Sequence, residues 1–354
     1  MNLSHLTLAL DTTVTKRLDP LVPMDFLGLA ERLGAKLWRT VRPVEQASLA
    51  AALEAVIGVD WRTDGGVGKE LDDAARELAR IAEESPAIVT AELERAVGGI
   101  ASATRASLGR AVGEQLGAMS RQHAATLEHL ATSHGSFVTN AARQRIDDAS
   151  DAARRIVARG IEQGLDNATI AGRLKDALEE YTLGRSEVYY DQLAATFTAR
   201  ARSFATLATM QDMGVRAYRW TASMDSRCCQ VCRFLHGQTA RVSSGIERMR
   251  QVESMGDPEA VRDLLPWPRI GTAKPGDMRY QVGGGSMSSV RADSKYLYYE
   301  VRGERRLMAR VDVAGEGDQR GRYANKLSQG ELERAGLMVP PCHGRCRCRL
   351  EIAE

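Results

Sequence analysis

Cysteine is absent before residue 228, aromatic side chains make up only 5% of the 354 residues, and basic and acidic groups nearly cancel at 48 against 46. Each shortage excludes something. A disulfide scaffold carries cysteines throughout a short chain, so six cysteines crowded towards one end of a long one do not form such a scaffold. A formal net charge of +2 does not suit a uniformly basic nucleic-acid coat, although charge can still segregate locally. No apolar run reaches the roughly 18 residues that a membrane helix needs, so no membrane partner is expected. The stretch from Met1 to Pro20 has an apolar patch but neither a basic segment before it nor a small-residue cleavage site after it, and it reads as mature sequence.

What is present is helical texture. With few aromatics and much Ala, Glu, Arg and Leu, the chain favours long, closely packed helices. Residues 1–65 form a first helical segment punctuated by Pro20, Pro23 and Pro43. Phe26, Leu29, Ala30, Leu33, Leu37 and Trp38 recur at helical spacing, and Leu49, Leu53, Val56 and Ile57 continue in a second run. The pattern breaks at Thr63-Asp64-Gly65-Gly66. Residues 66–165 are an extended helical region with apolar stripes at Leu71, Ala74, Leu78 and Ile81, then at Ile146, Ala149, Ala153 and Val157. Ser85-Pro86 is expected to start a new helix, and Gly98-Gly99 and Ser133-His134-Gly135 to interrupt the run. Alanine stripes bury little area per residue, so self-association through this half is expected to firm it. A helix opening after Asp166-Asn167 should end at Gly184, and another spans about 187–212.

After Tyr218 the texture changes. The chain becomes rich in Gly and Pro, with strand-like runs at Lys295–Val301 and Leu307–Val313 flanking Gly303, as in a hairpin, and a short helix at Ser328–Ala335. The expected class is α+β: a long helical N-terminal part, then residues 166–354 as a small mixed domain with an insertion at about 240–339.

The chemistry sits at the two ends of that domain. Cys229 and Cys232 have the C-x-x-C spacing that lets two thiolates of one turn meet a single ion. Cys346 and Cys348, with His343 just upstream, form a second knuckle. Two such knuckles complete a tetrahedral, sulfur-rich site that suits Zn²⁺, stapling the C-terminal segment to a turn about 110 residues earlier. Seven candidate ligands for four places leave the ligand set open, with Cys228 and Cys342 as the expected spares. The alternative is a group of reduced cysteines packed without metal. Arg227 and Arg233 flank the first knuckle, and Arg345, Arg347 and Arg349 alternate along the second. Joined, they offer five guanidinium groups to phosphates. Alternatively, they pair with Asp225 and Glu351.

Other readings fit poorly. A zinc deaminase needs His-x-Glu, which does not occur. A thiol–disulfide oxidoreductase should place its C-x-x-C in a βαβ unit. Gly283-Gly284-Gly285 is followed by no Lys-Ser or Lys-Thr, so it is no phosphate loop.

Asp225-x-Arg227-x-Cys229-x-x-Cys232 followed by Leu235-x-Gly237, closed by Pro340-Pro341-x-His343-x-x-Cys346-Arg347-Cys348, resembles the signature of the bacteriophage head-morphogenesis, or Mu F-like minor capsid, family. Trp220 and the helix before it, from Leu193 to Arg200, fit the same pattern. Ala195 and Phe197 stand where family members often carry Arg and Glu. The resemblance covers about 165–354. It implies a minor head protein, not an enzyme, found in the virion interior and in host cytoplasm during assembly. It acts in head assembly, DNA packaging or delivery, with portal and capsid proteins and packaged double-stranded DNA as partners. A metal-stapled DNA-binding module and the delivery domain of a phage-borne toxin are the alternatives.

Overall fold

A computed structural model describes residues 25–61, 67–113, 115–117, 119–184, 186–255, 260–272, 295–343 and 346–353. The stretch before residue 25, the expected break at 63–66, the glycine triplet at 283–285 and Arg345 lie outside the described residues.

Five helices come first: α1 (Asp25–Val56), α2 (Val67–Val112), α3 (Arg121–Glu162), α4 (Asn167–Glu179), continued by a π turn over Glu180–Gly184, and α5 (Ser186–Asp212). Asp166 caps α4 by accepting from the Thr169 N–H at 2.8 Å, the role its short carboxylate suits. Four expected interruptions are not interruptions. Helix α1 runs through Pro43, α2 runs through Pro86 and Gly98-Gly99, and α3 runs through Ser133-His134-Gly135. A proline removes one helical hydrogen bond, but packing compensates: Val41 and Val89, near these prolines, are wholly buried. Gly135 has a packing role. A Cβ there would stand 2.0 Å from Thr90 Oγ1 and 3.8 Å from the Pro86 carbonyl, so the missing side chain is what lets α3 lie against α2. The real break between α2 and α3 follows Gly113, whose φ of 74° suits a helix-ending glycine.

Helix α1 packs on α2 and α5, and α2 packs on α3. Two apolar cores result. One gathers Trp61, Leu71 and Leu78 with the alanine stripe Ala142, Ala149 and Ala153, and with Ile170 and Leu174 of α4. The alanines thus find their partners inside the chain. The other runs from Leu37 of α1 through Leu93, Leu127 and Phe197 to Trp220, Phe234, Met308 and Leu350. Because that core is continuous, the helical half and the C-terminal region share one buried interior. Polar ties cross the same helices. The carboxylate of Glu45 (α1), fully buried, accepts from Arg145 (α3) at 3.3 Å and from Tyr190 (α5) at 3.5 Å. Arg105 (α2) reaches Asp212 (α5) at 2.7 Å.

The remainder comprises β1 (Ala217–Thr221), α6 (Gln230–Leu235), β2 (Thr239–Arg241), α7 (Val242–Glu253), α8 (Val261–Leu264), β3 (Arg269–Thr272), β4 (Lys295–Val301), β5 (Glu304–Val313), β6 (Arg322–Ala324), α9 (Gln329–Arg334) and β7 (Arg349–Ala353). The strands form two antiparallel sheets, ordered β2-β1-β7 and β3-β4-β5-β6. The β4–β5 hairpin turns at Arg302-Gly303, both at positive φ (51° and 76°), the pattern of a tight two-residue turn. Ser328 starts α9 with a complete capping box to Glu331. These elements meet the α+β expectation. Within the expected insertion at about 240–339, Leu332, Leu337, Met338 and Val339 lie in the main core. Among the described residues, no helix is long and apolar enough to cross a membrane.

A candidate metal centre at the junction of two thiol turns

Strand pairing positions the site. Strand β1 runs antiparallel to β7, with Trp220 opposite Leu350 and Thr221 opposite Arg349. The first thiol turn follows β1 and the second precedes β7. Antiparallel pairing places the end of one strand beside the start of the other, so the two turns must meet. A hydrogen bond from Thr221 Oγ1 to the Glu351 carboxylate at 2.8 Å adds to this register.

Within the first turn, Cys229 is the N-cap of α6, its Sγ accepting from the Cys232 backbone N–H at 3.4 Å. That cap orients both sulfurs to one side. Gly237, at φ 76°, turns the chain back so that its N–H bonds the Trp220 carbonyl at 2.8 Å. His236 accepts from the Ala222 N–H through Nδ1 at 3.1 Å, which gives it a backbone role. Burial pulls its ring pKa below the ordinary value.

The sulfurs of the two turns converge. Cys232 Sγ lies 3.5 Å from Cys342 Sγ and 3.2 Å from His343 Nε2. One ligand atom from each of Cys232, Cys342, His343 and Cys346 falls within 4.8 Å of all the others. Around a tetrahedral zinc with bonds of about 2.3 Å, sulfurs stand about 3.8 Å apart, so this quartet fits one ion. Cys232, Cys342 and Cys346 are buried. Cys342, expected as a spare, is central. The reason is tertiary: the chain before β7 folds inward at Cys342 as well as at Cys346. Cys229, half-buried, interacts with Cys232, Cys342 and His343, and the buried Cys348 with Cys232 and Cys346. Cys228 points elsewhere, its thiol 3.9 Å from Met224 Sδ, and burial pushes its pKa up. All six cysteines are free thiols. Interaction with the neighbouring Cys232 side chain favours the Cys229 thiolate and disfavours that of Cys232.

Among the described residues, Arg233, Arg347 and Arg349 are committed to partners within the chain. Arg233, 1% exposed, donates to the carbonyls of Cys228 (3.0 Å), Asp225 (2.7 Å) and Gln319 (2.6 Å). A guanidinium so committed cannot grip a phosphate; it braces the first turn. Arg347 makes a bidentate pair with Asp225 at 2.6 and 2.8 Å, tying the second turn to the first. That hydrogen bond holds the Asp225 carboxyl below the usual range and raises the Arg347 guanidinium. Arg349 pairs with Glu351 at 2.5 Å. Arg227 remains largely exposed, its nearest carboxylate contact being Asp225 at 3.9 Å.

Sequence reasoning missed the residues that support the site from the expected insertion. Gln230 and Gly315 bond reciprocally, side chain to backbone, at 2.7 and 3.0 Å. Tyr323 Oη donates to the Gln230 carbonyl at 3.1 Å, and Arg320 donates to the carbonyls of Arg233 and Phe234. Nothing in the linear spacing of these residues announces the contact.

Residues 151–252 match the family model described as Phage Mu protein F like protein. That stretch is similar to the Mu F-like phage head family. It takes in the end of α3, helices α4 and α5, β1, the first thiol turn, β2 and nearly all of α7. The Mu F-like match starts earlier than the resemblance read from the motifs and stops before the second turn. No curated protein and no solved structure matches the chain. At the two positions where the chain departs from the pattern, the departure is structural: Phe197 is fully buried against His134, ring centroids 5.2 Å apart, and the neighbouring Ala195 is half-buried.

Proposed function

We propose that this protein is a minor component of a phage head, acting in head assembly, DNA packaging or DNA delivery, with its place at the portal or the capsid interior. The observation that carries the reading is the Mu F-like match over residues 151–252, which includes the first thiol turn. In this reading the chain performs no catalysis. Its partners are portal and capsid proteins, reached in the host cytoplasm during assembly and retained in the virion. A structural zinc held by the Cys/His cluster locks the C-terminal tail to the turn after β1 and keeps the docking region rigid. Zinc fits because the donors are mostly thiols.

The test is composition of assembled heads. Heads produced with the intact gene should contain the chain in a few copies. Heads made without it should lack DNA, or deliver it poorly, at unchanged major capsid content. Normal, infective particles without the chain would refute the proposal. The runner-up, a metal-stapled DNA-binding module, predicts a mobility shift with duplex DNA that weakens steeply as salt rises. The commitment of Arg233, Arg347 and Arg349 to internal partners argues for the protein-binding role.

A further inference from the structure

We infer that the outer face of helix α1 is a docking surface for the phosphate backbone of duplex DNA. The inference rests on the head-component reading for its occupant, since packaged DNA is the polyanion such a protein meets, and on α1 itself for its geometry. Helix α1 lies outside the stretch matched to the family.

Between Arg32 and Leu53 the sequence holds four cations, Arg32, Lys36, Arg39 and Arg42, and one carboxylate, Glu45. Glu45 is fully buried and accepts from Arg145, so this stretch sends no negative charge to the surface. Glu31 and Glu54 bound it at either end. All four cations are exposed. At about 100° and about 1.5 Å per residue they lie within an arc of about 120° and along about 15 Å of helix axis. The opposite face, with Leu33, Leu37 and Val41, is buried in the main core, and that burial fixes which way the cations point.

Local contacts leave the charges in place. Arg39 Nε donates to the Ala35 carbonyl at 3.2 Å, and Arg42 lies over the Trp38 ring, 5.2 Å from its centroid. Neither contact neutralises a guanidinium. Among the described residues, Glu92 of α2 is the one carboxylate paired with any of the four, meeting Lys36 at 2.5 Å. Glu92 is paired with the exposed Arg95 as well, so the trio keeps a net positive charge. Asp191 of α5 meets α1 at Gly34, on the buried side of the helix.

The charge pattern selects the occupant. A folded protein surface carries both signs, as this chain does with 48 basic and 46 acidic residues. A duplex carries one sign alone, a charge per about 1.7 Å of axis, or about nine phosphates beside about 15 Å of helix. Three of the four cations are arginines, whose planar fork suits phosphate oxygens. Contacts of this kind fix position and read no sequence.

The test measures binding of the full chain to duplexes of unrelated sequence by fluorescence anisotropy. Four phosphate contacts give a log–log salt slope of about −3.6, or an affinity loss of about 150-fold between about 50 and about 200 mM salt, alike for every sequence. The triple variant Arg32→Gln/Arg39→Gln/Arg42→Gln, which keeps the Lys36–Glu92 pair, should bring the slope to about −0.9. Lysine at the same three positions should retain the wild-type slope. The runner-up reading puts DNA at the thiol turns, and Arg227→Gln separates the two: an unchanged slope is expected, and a fall there with none in the triple variant overturns the inference. A wild-type chain that does not bind overturns it too, leaving this face to a protein partner. Neither result touches the head-component reading, which head composition tests separately. If circular dichroism shows the triple variant unfolded, the three single variants carry the test, each expected to lower the slope by about 0.9; unchanged slopes in all three overturn the inference.

Discussion

His134 offers a sharp test of how the helical core is held. The residue sits in α3, fully enclosed, with Nδ1 at 3.0 Å from the Leu130 carbonyl and its ring edge-on to Phe197. Burial, reinforced by the charge of Arg200, pulls its pKa from the ordinary 6.5 down to about 3. The folded chain therefore keeps the ring neutral over a range in which the unfolded chain protonates it. Its contribution is complete above the unfolded pKa and is lost as pH falls towards the folded one. Linkage at about 1.4 kcal/mol per pH unit gives a loss of about 2 kcal/mol between about pH 7.5 and about pH 5. The assay is urea unfolding followed by far-UV circular dichroism at several pH values, for the wild type and for His134→Gln. Gln keeps a polar group near the Leu130 carbonyl but does not titrate. The wild type should lose about 2 kcal/mol more than the variant across that interval. The other histidines are present in both proteins and cancel. Parallel pH profiles would refute the reasoning.

Further outcomes follow from the same packing. Gly135→Val places a branched side chain where a Cβ already meets Thr90 Oγ1 at 2.0 Å; it should destabilise by about 1–3 kcal/mol, read by denaturant unfolding. Glu45→Ala leaves Arg145 without its buried carboxylate and should cost about 3 kcal/mol or more, with thermal unfolding as the check. Asp225→Asn weakens the bidentate tie from Arg347; at a partly exposed pair the global loss should stay near 1 kcal/mol, but limited proteolysis should release the tail after about residue 342 sooner. Prolonged chelation of the metal-loaded protein should have the same local effect, lowering the midpoint of unfolding while leaving most helical signal at low temperature; an unchanged proteolysis pattern would argue against a metal staple.

Much of the molecule was legible from residue order. Capping signals are local, so the starts of α4 at Asp166 and of α9 at Ser328 stood in the sequence. The strand-like runs on either side of Gly303 likewise marked the β4–β5 hairpin. Local breaker signals failed inside the long helices. At Pro43, Pro86 and Gly135 the neighbouring helix decides, and it rewards continuity. The arginines show the same limit: their spacing is visible, but whether a guanidinium faces water, Asp225 or a carbonyl depends on residues brought from elsewhere in the chain.

By itself the sequence determined the α+β class, the helical first half, and the presence of two thiol-bearing turns, because propensity, periodicity and cap chemistry act over a few residues. Only the tertiary structure decided that Cys342 belongs to the cluster, that Cys228 does not, and that residues 314–323 brace the first turn. Those outcomes follow from the antiparallel pairing of β1 with β7 and from a core shared across the chain. Such contacts join residues about a hundred positions apart, over which linear spacing carries no information.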